Sequence, residues 1–255
     1  MSNHIINTNK KYQHPRGIDY TTQIMVFDPL VQEIKSWAYS EGYFLDDITL
    51  SGSRAKGTAI SLTSDLDMFI SLSPSNTATL KEIFNSLFYW FNKIQYSGKK
   101  QNVSIQVTLR ELKIDLVPGK RQNQHNNDHS IYKSTDDTWM QTNVNEHINI
   151  VKYSSRISEI VAAKIWRHRH NLPIPSILLE LITIEALKYK DIYDHDRNFL
   201  FLLEYIRDHI ETIRVIDPAN TNNIISNDIT INEKYLISDK AGECRNAQSW
   251  AEILW

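Results

Sequence analysis

Asp65 and Asp67 flank a single leucine at the head of a branched, apolar run, S-D-L-D-M-F-I-S-L over residues 64–72. That composition predicts a strand. Residues two apart on a strand face the same side, about 7 Å apart along it. Both carboxylates then share a face, while Leu66 turns toward a core. Asp115 breaks a second apolar run, L-K-I-D-L-V over 112–117, and strand pairing can bring it beside the other two. Three carboxylates on one face repel one another and raise one another's pKa. A bound divalent cation removes that cost, and oxygen-only ligands select magnesium or manganese over zinc. Two such ions suit phosphoryl transfer, one lowering the pKa of an attacking hydroxyl and the other neutralising the leaving pyrophosphate.

Between a strand predicted at 48–50 and these aspartates stands G-S-R-A-K-G, residues 52–57, which holds two of the chain's seven glycines. Gly52 lets backbone N–H groups come close to a phosphate, and the Ser53 hydroxyl adds a donor. Arg54 and Lys56 add positive charge nearby. Taken singly, a Gly-Ser pair reads as a turn, a D-x-D as a solvated strand edge, and an aspartate in an apolar strand as a satisfied core residue. All three in order, on successive predicted strands, point to one site.

The chain around this site is that of an ordinary globular protein. Its 255 residues, 41% hydrophobic and 23% charged, suffice for a sizeable core. Twenty-eight basic against 30 acidic residues leave a formal charge of −2, which excludes a protein that coats nucleic acid by charge alone. The one cysteine, Cys244, permits neither an internal disulfide nor a cysteine-based zinc site. No apolar run reaches the roughly 18–20 residues that span a bilayer, and the polar start lacks the apolar stretch of a signal peptide. A cytoplasmic location with no membrane partner is expected.

Helical periodicity predicts helices at 22–43, with Gly42 as a stop, and at 78–94. Strands are expected at 103–109 and 112–117, joined at Arg110-Glu111 and ended by Pro118-Gly119. Residues 119–138 read as a long polar loop. Helices dominate from about 143: 143–170, 176–190, 197–212 and 234–253, with a connection at 214–227. Two domains are therefore expected, an α/β domain at 1–142, opening with a loose arm at 1–20, and a helical domain at 143–255.

The stretch L-S-G-S-R-A-K-G-T-A-I-S-L-T-S-D-L-D-M-F-I-S-L over 50–72, followed by K-I-D-L-V-P-G over 113–119, resembles the DNA polymerase β-type nucleotidyltransferase superfamily. Within it the wording is closest to the branch of 2′-5′-oligoadenylate synthases and bacterial cyclic-oligonucleotide synthases, the CD-NTases. The class I CCA-adding enzymes are relatives. The resemblance implies an α+β fold, with a short mixed sheet backed by helices, a C-terminal helical domain, and the ligand in a cleft between them. It implies that Gly52 and Ser53 hold the triphosphate and that Asp65, Asp67 and Asp115 are catalytic and hold two magnesium or manganese ions. E-I-V-A-A-K-I-W-R over 159–167 and P-S-I-L-L-E-L-I over 175–182 are similar to that branch's helical domain, which would carry Lys164 and Ser176 to the triphosphate. I-D-P-A-N over 216–220 also looks like that branch.

The expected function is transfer of a nucleoside monophosphate from an NTP, ATP foremost, to a hydroxyl, making short or cyclic oligonucleotides as a signal in antiviral defence. Addition of nucleotides to an RNA 3′ end, AMP transfer to protein hydroxyls, and an inactive nucleotide-binding homologue are the alternatives. The chain is short for a cyclic-oligonucleotide synthase, which leaves the product open. Several side chains have plainer readings. Lys164 on its own reads as a snorkelling helix lysine, and Ser176 after Pro175 as a helix N-cap. The Arg167-His168-Arg169-His170 run reads as a solvated helix end. His125 and His129 read as surface loop residues, Trp37, Trp90, Trp166 and Trp250 as core. Tyr132 and Tyr153 are the candidates among the aromatics for base stacking near a cleft, and Cys244, with no base partner evident, reads as inert.

Overall fold

The computed structural model describes residues 3–63 and 65–254. The chain opens with α1, His4–Tyr12, and α2, Tyr20–Thr22, which continues through a π turn at Gln23–Phe27 into α3, Asp28–Glu41. Next come β1, Leu45–Leu50, α4, Gly52–Lys56, β2, Leu66–Leu72, and α5, Leu80–Lys93. Five strands follow: β3, Lys99–Lys100, β4, Ile105–Leu109, β5, Leu112–Arg121, β6, His129–Lys133, and β7, Thr138–Thr142. The helices α6, Val144–Lys152, α7, Ile157–Arg169, α8, Ser176–Ala186, and α9, His195–His209, come next. A hairpin of β8, Ile216–Asp217, and β9, Asn220–Ile224, precedes α10, Ile231–Arg245, and α11, Trp250–Ile253. Contacts divide the chain into a sheet unit, residues 15–56 and 64–148, and a helical unit, residues 1–14, 57–63 and 149–255. Among the described residues no helix is long and apolar enough to cross a membrane.

In the sheet unit the strand order is β1-β2-β5-β4-β3, with β6 added to β5 and β7 to β6. β2 and β5 run parallel, and the pairs β1–β2, β4–β5 and β5–β6 are antiparallel. Alternation sorts the side chains. Leu66, Met68, Ile70 and Leu72 of β2, with Ile105, Val107, Ile114 and Leu116, are buried on one face. There they pack into one core with Leu30, Ile34 and Trp37 of α3 and Phe84, Leu87 and Phe91 of α5. Each such side chain contributes about 1.5–3 kcal/mol when fully buried. Both helices end cleanly: Gly42 takes a left-handed conformation (φ +72°) after α3, and Thr79 and Glu82 form a reciprocal capping box at the start of α5. The odd-numbered residues of β2 are thereby left to the opposite face, which carries the site.

Several expectations are corrected here. The arm at 1–20 contains a helix, α1, whose Ile5 is fully buried in the core of the helical unit. The Asp196 carboxylate accepts from the N–H groups of His4 (3.1 Å) and Ile5 (2.9 Å) and fixes the start of that helix. Residues 57–63 also belong to the helical unit, where Ile60 is buried. Pro118-Gly119 does not end β5. Proline lacks an N–H, and Pro118 stands where the neighbouring strand changes from β4, paired up to Leu116, to β6, paired from Gly119. The second half of the polar loop expected at 119–138 enters the β6–β7 hairpin, in which Ile131 and Tyr132 are buried on opposite faces. The helix at 143–170 is two helices. Ser155 sits at φ +59°, and the buried Arg156 turns its guanidinium onto the carbonyls of Leu187, Lys190 and Asp191. The last predicted helix likewise divides into α10 and α11.

Candidate active site

The turn after β1 lies against β2. Ser51 donates its N–H to the Asp67 carbonyl at 2.8 Å. Gly52 follows with φ +58°, and a Cβ there would lie 1.8 Å from Asp67 Oδ2. No other residue type fits this backbone so close to that carboxylate. Ser53 and Lys56 are half-buried in the single helical turn α4, together with Arg54. Burial pushes the Arg54 guanidinium below its ordinary range, and Asp19 works against that shift.

Asp67 and Asp115 are direct neighbours in the β2–β5 register, on strands about 4.8 Å apart. Both lie on the face away from α3 and α5. Burial holds the Asp115 carboxyl above the usual carboxylate range. A hydrogen bond from Gln106 Nε2 to Oδ1, at 3.2 Å, opposes that shift, and the charge of Asp65 adds to it. Asp65 itself is exposed and stands just before β2 begins. Of the three acids expected to converge, the β2–β5 register brings Asp67 beside Asp115, while Asp65 lies outside the strand. Among the described residues no group of three or more His, Cys, Asp or Glu side chains is arranged to hold a metal ion. The pair nevertheless fits magnesium, which is ordinarily bound by one or two carboxylates together with substrate phosphates rather than by a complete protein cage.

A cavity of about 150 Å³ is lined by Gly52, Lys56 and Asp67 together with Phe69, Val117 and Ile148. Phe69 also lines a second, polar cavity of about 70 Å³ with Ser71, Arg121 and His129. His129 Nδ1 lies 2.8 Å from the Asn127 carbonyl, which can only accept, so Nδ1 carries the proton. Nε2 then accepts from the Ser71 hydroxyl at 2.7 Å. Burial lowers the His129 pKa and keeps the ring neutral. His129 is therefore no surface loop residue. Neither cavity was foreseen from sequence, although the S-I-Y alternation at 130–132 was the available signal for the strand that lines them.

The helical unit places the remaining residues differently from expectation. Lys164 is buried, its ammonium 2.6 Å from Glu180 Oε1 and 2.8 Å from Thr58 Oγ1. The residue that the resemblance carried to the triphosphate is here engaged in a buried ion pair. Ser176 is exposed and is the first residue of α8, with Pro175 as the N-cap, and its hydroxyl accepts from Arg167 Nη1 at 2.9 Å. Arg167 is accordingly not part of a freely solvated helix end, and burial lowers its pKa. Tyr132 packs edge-on against Phe84 and bonds Asp137 at 2.6 Å, so its ring is core, whereas Tyr153 is exposed. Cys244 has a partner that the sequence did not reveal, His170 Nε2 at 3.5 Å, but burial raises its thiol pKa.

A β1–turn–β2 unit presenting Asp67, parallel to a strand presenting Asp115, with helices behind the sheet, makes this the nucleotidyltransferase fold. Among solved structures it is similar to CD-NTases. Escherichia coli MS115-1 CdnC with ATP has a TM-score of 0.78 at 18% identity, over 98% of this chain and 96% of that one. Bradyrhizobium diazoefficiens CdnG with GTP has a TM-score of 0.74 at 11% identity, over 98% and 94%. Elizabethkingia meningoseptica CdnE, a cyclic dinucleotide synthase, has a TM-score of 0.67 at 13% identity, over 97% and 99%. At these identities the likeness is one of fold. No family model and no curated protein matches the sequence.

Proposed function

We propose that the chain is a metal-dependent nucleotidyltransferase that makes short or cyclic oligonucleotides from NTPs. The observation that carries this reading is the pairing of Asp67 with Asp115 on adjacent strands, against a turn where only glycine fits beside Asp67. The solved neighbours with ATP and GTP support an NTP as the donor. The net charge of −2 favours a small acceptor over a long RNA. The neighbour CdnC also occurs in a complex with HORMA-deltaN, and a protein partner of that kind belongs to the reading.

In this reading Asp67 and Asp115 would hold two ions, magnesium or manganese, with Asp65 and the substrate phosphates completing the ligand set. Bound there, the ions supply the charge that lowers the pKa of the acceptor hydroxyl and offsets that of pyrophosphate. The backbone at Gly52-Ser53 and the Lys56 ammonium hold the phosphates beside the carboxylates. The apolar floor of Phe69 and Val117 takes the base. The acceptor hydroxyl gives up its proton to solvent, its oxygen bonds to the α-phosphorus, the bond from that phosphorus to the β-phosphate oxygen breaks, and pyrophosphate leaves with that electron pair. Lys164 has no phosphate role here, because its ammonium is committed to Glu180.

The test is incubation of the protein with Mg²⁺ or Mn²⁺ and each labelled NTP, with and without RNA, followed by mass spectrometry of the products. Oligonucleotide formed without RNA, and lost in Asp67→Ala, is the expected result. Labelling that requires RNA would replace the product assignment by 3′-end addition. Equal turnover by wild type and Asp67→Ala would overturn the reading.

A further inference from the structure

The strand β4 carries the polar Gln106 between two buried aliphatic residues. Ile105 and Val107 are fully buried toward α3 and α5, so strand alternation turns Gln106 to the face that carries the two aspartates. Gln106 is directly opposite Asp115 in the β4–β5 register, and Asp67 is opposite Asp115 on its other flank. Asp115 thus stands on a central strand between a carboxylate and an amide. The amide is turned to it, with Nε2 3.2 Å from Oδ1. Among the described residues Oδ2 has no hydrogen-bond partner.

We propose that Gln106 is a positioning residue for the site, clamping the Asp115 carboxylate through one oxygen so that the other is held toward a cation. This rests on the metal-dependent reading above. The residue type fits the role. A lysine or arginine in its place would neutralise Asp115 and compete with a metal, and a serine is too short to span the strand spacing of about 4.8 Å. An amide donates one uncharged hydrogen bond, which favours the ionised carboxylate and adds no positive charge. Partners of ligating carboxylates that fix their orientation affect metal affinity strongly, commonly by about 10- to 100-fold.

The experiment is a titration of the nucleotide-free protein with Mn²⁺ alone, following the free-ion signal by electron paramagnetic resonance, with thermal melting in EDTA as the folding control. Gln106→Leu is expected to bind Mn²⁺ about 10- to 100-fold more weakly than wild type. Gln106→Glu, nearly isosteric but without the donor, is expected to bind more weakly as well. Affinity equal to wild type in Gln106→Leu, or tighter binding in Gln106→Glu, would overturn the proposal. Asp67→Asn separates the levels. If it weakens Mn²⁺ binding while Gln106→Leu does not, only the role of Gln106 falls. If wild type binds no Mn²⁺, the metal-dependent reading and this inference fall together.

Discussion

Replacing Gly52 with alanine tests the closest approach in the site. The new Cβ would meet Asp67 Oδ2 at 1.8 Å, Cγ at 2.4 Å and Cβ at 2.9 Å. Ordinary van der Waals contact begins near 3.4 Å, so the carboxylate has to retreat by about 1.5 Å or the turn has to open. Alanine at φ +58° also carries a left-handed backbone cost of about 1–2 kcal/mol. A displacement of about 1 Å in a reacting constellation lowers rate by about a hundredfold. Gly52→Ala is therefore expected to lose at least about a hundredfold in kcat/KM for pyrophosphate release, and to melt a few degrees lower. Gly42→Ala is the matched control. Gly42 has φ +72° with nothing within 4 Å of its notional Cβ, so that variant has a similar backbone cost and should keep full activity. A Gly52→Ala protein as active as Gly42→Ala would refute the claim that the Gly52 backbone sets the position of Asp67.

Three further outcomes are expected. Glu180→Gln leaves the Lys164 ammonium buried without its counter-charge and should cost about 3–5 kcal/mol in urea denaturation, whereas Lys164→Met with Glu180→Leu should recover most of that loss. Because burial depresses the His129 pKa below its usual 6.5, the neutral ring contributes stability above pH 6.5 that is lost as pH falls through the folded-state value. Melting of wild type should consequently fall more steeply below pH 6.5 than melting of His129→Gln, and parallel profiles would refute it. In the β4–β5 hairpin both turn residues, Arg110 (φ +49°) and Glu111 (φ +67°), are left-handed. Their exchange for Asn-Gly, which suits that turn, should raise the denaturation midpoint.

The parts of this structure legible in the sequence were those governed by local periodicity. The apolar alternation of 66–72 and the helical spacing at 80–93 follow from burying one face, and Gly42 ends its helix where a left-handed residue is needed. The Gly52–Asp67 relation was legible as residue types, and the register of Asp67 with Asp115 follows once β2 and β5 are neighbours. The remainder depended on partners distant in the chain. His129 lies in a polar segment, and only its pairing beside β5 and the Ser71 hydroxyl make it a buried residue. Lys164 is carried to a ligand by the resemblance alone, because its partners Glu180 and Thr58 lie far away in the chain. The polar start 3–12 shows only one buried isoleucine, too little for periodicity to reveal a docked helix.

The parallel pairing of β2 with β5 also governs when the site can exist. β4 and β5 form a hairpin from adjacent sequence, whereas β2 has to wait for a strand made much later, after α5 has been laid across the sheet. Contacts so remote in sequence form slowly and late. A nascent chain still short of Asp115 holds one acid of the pair without the other, and is spared their mutual repulsion during synthesis. Ribosome-stalled or proteolysed fragments ending before β5 would accordingly be inert toward nucleotides, however well their helices had formed.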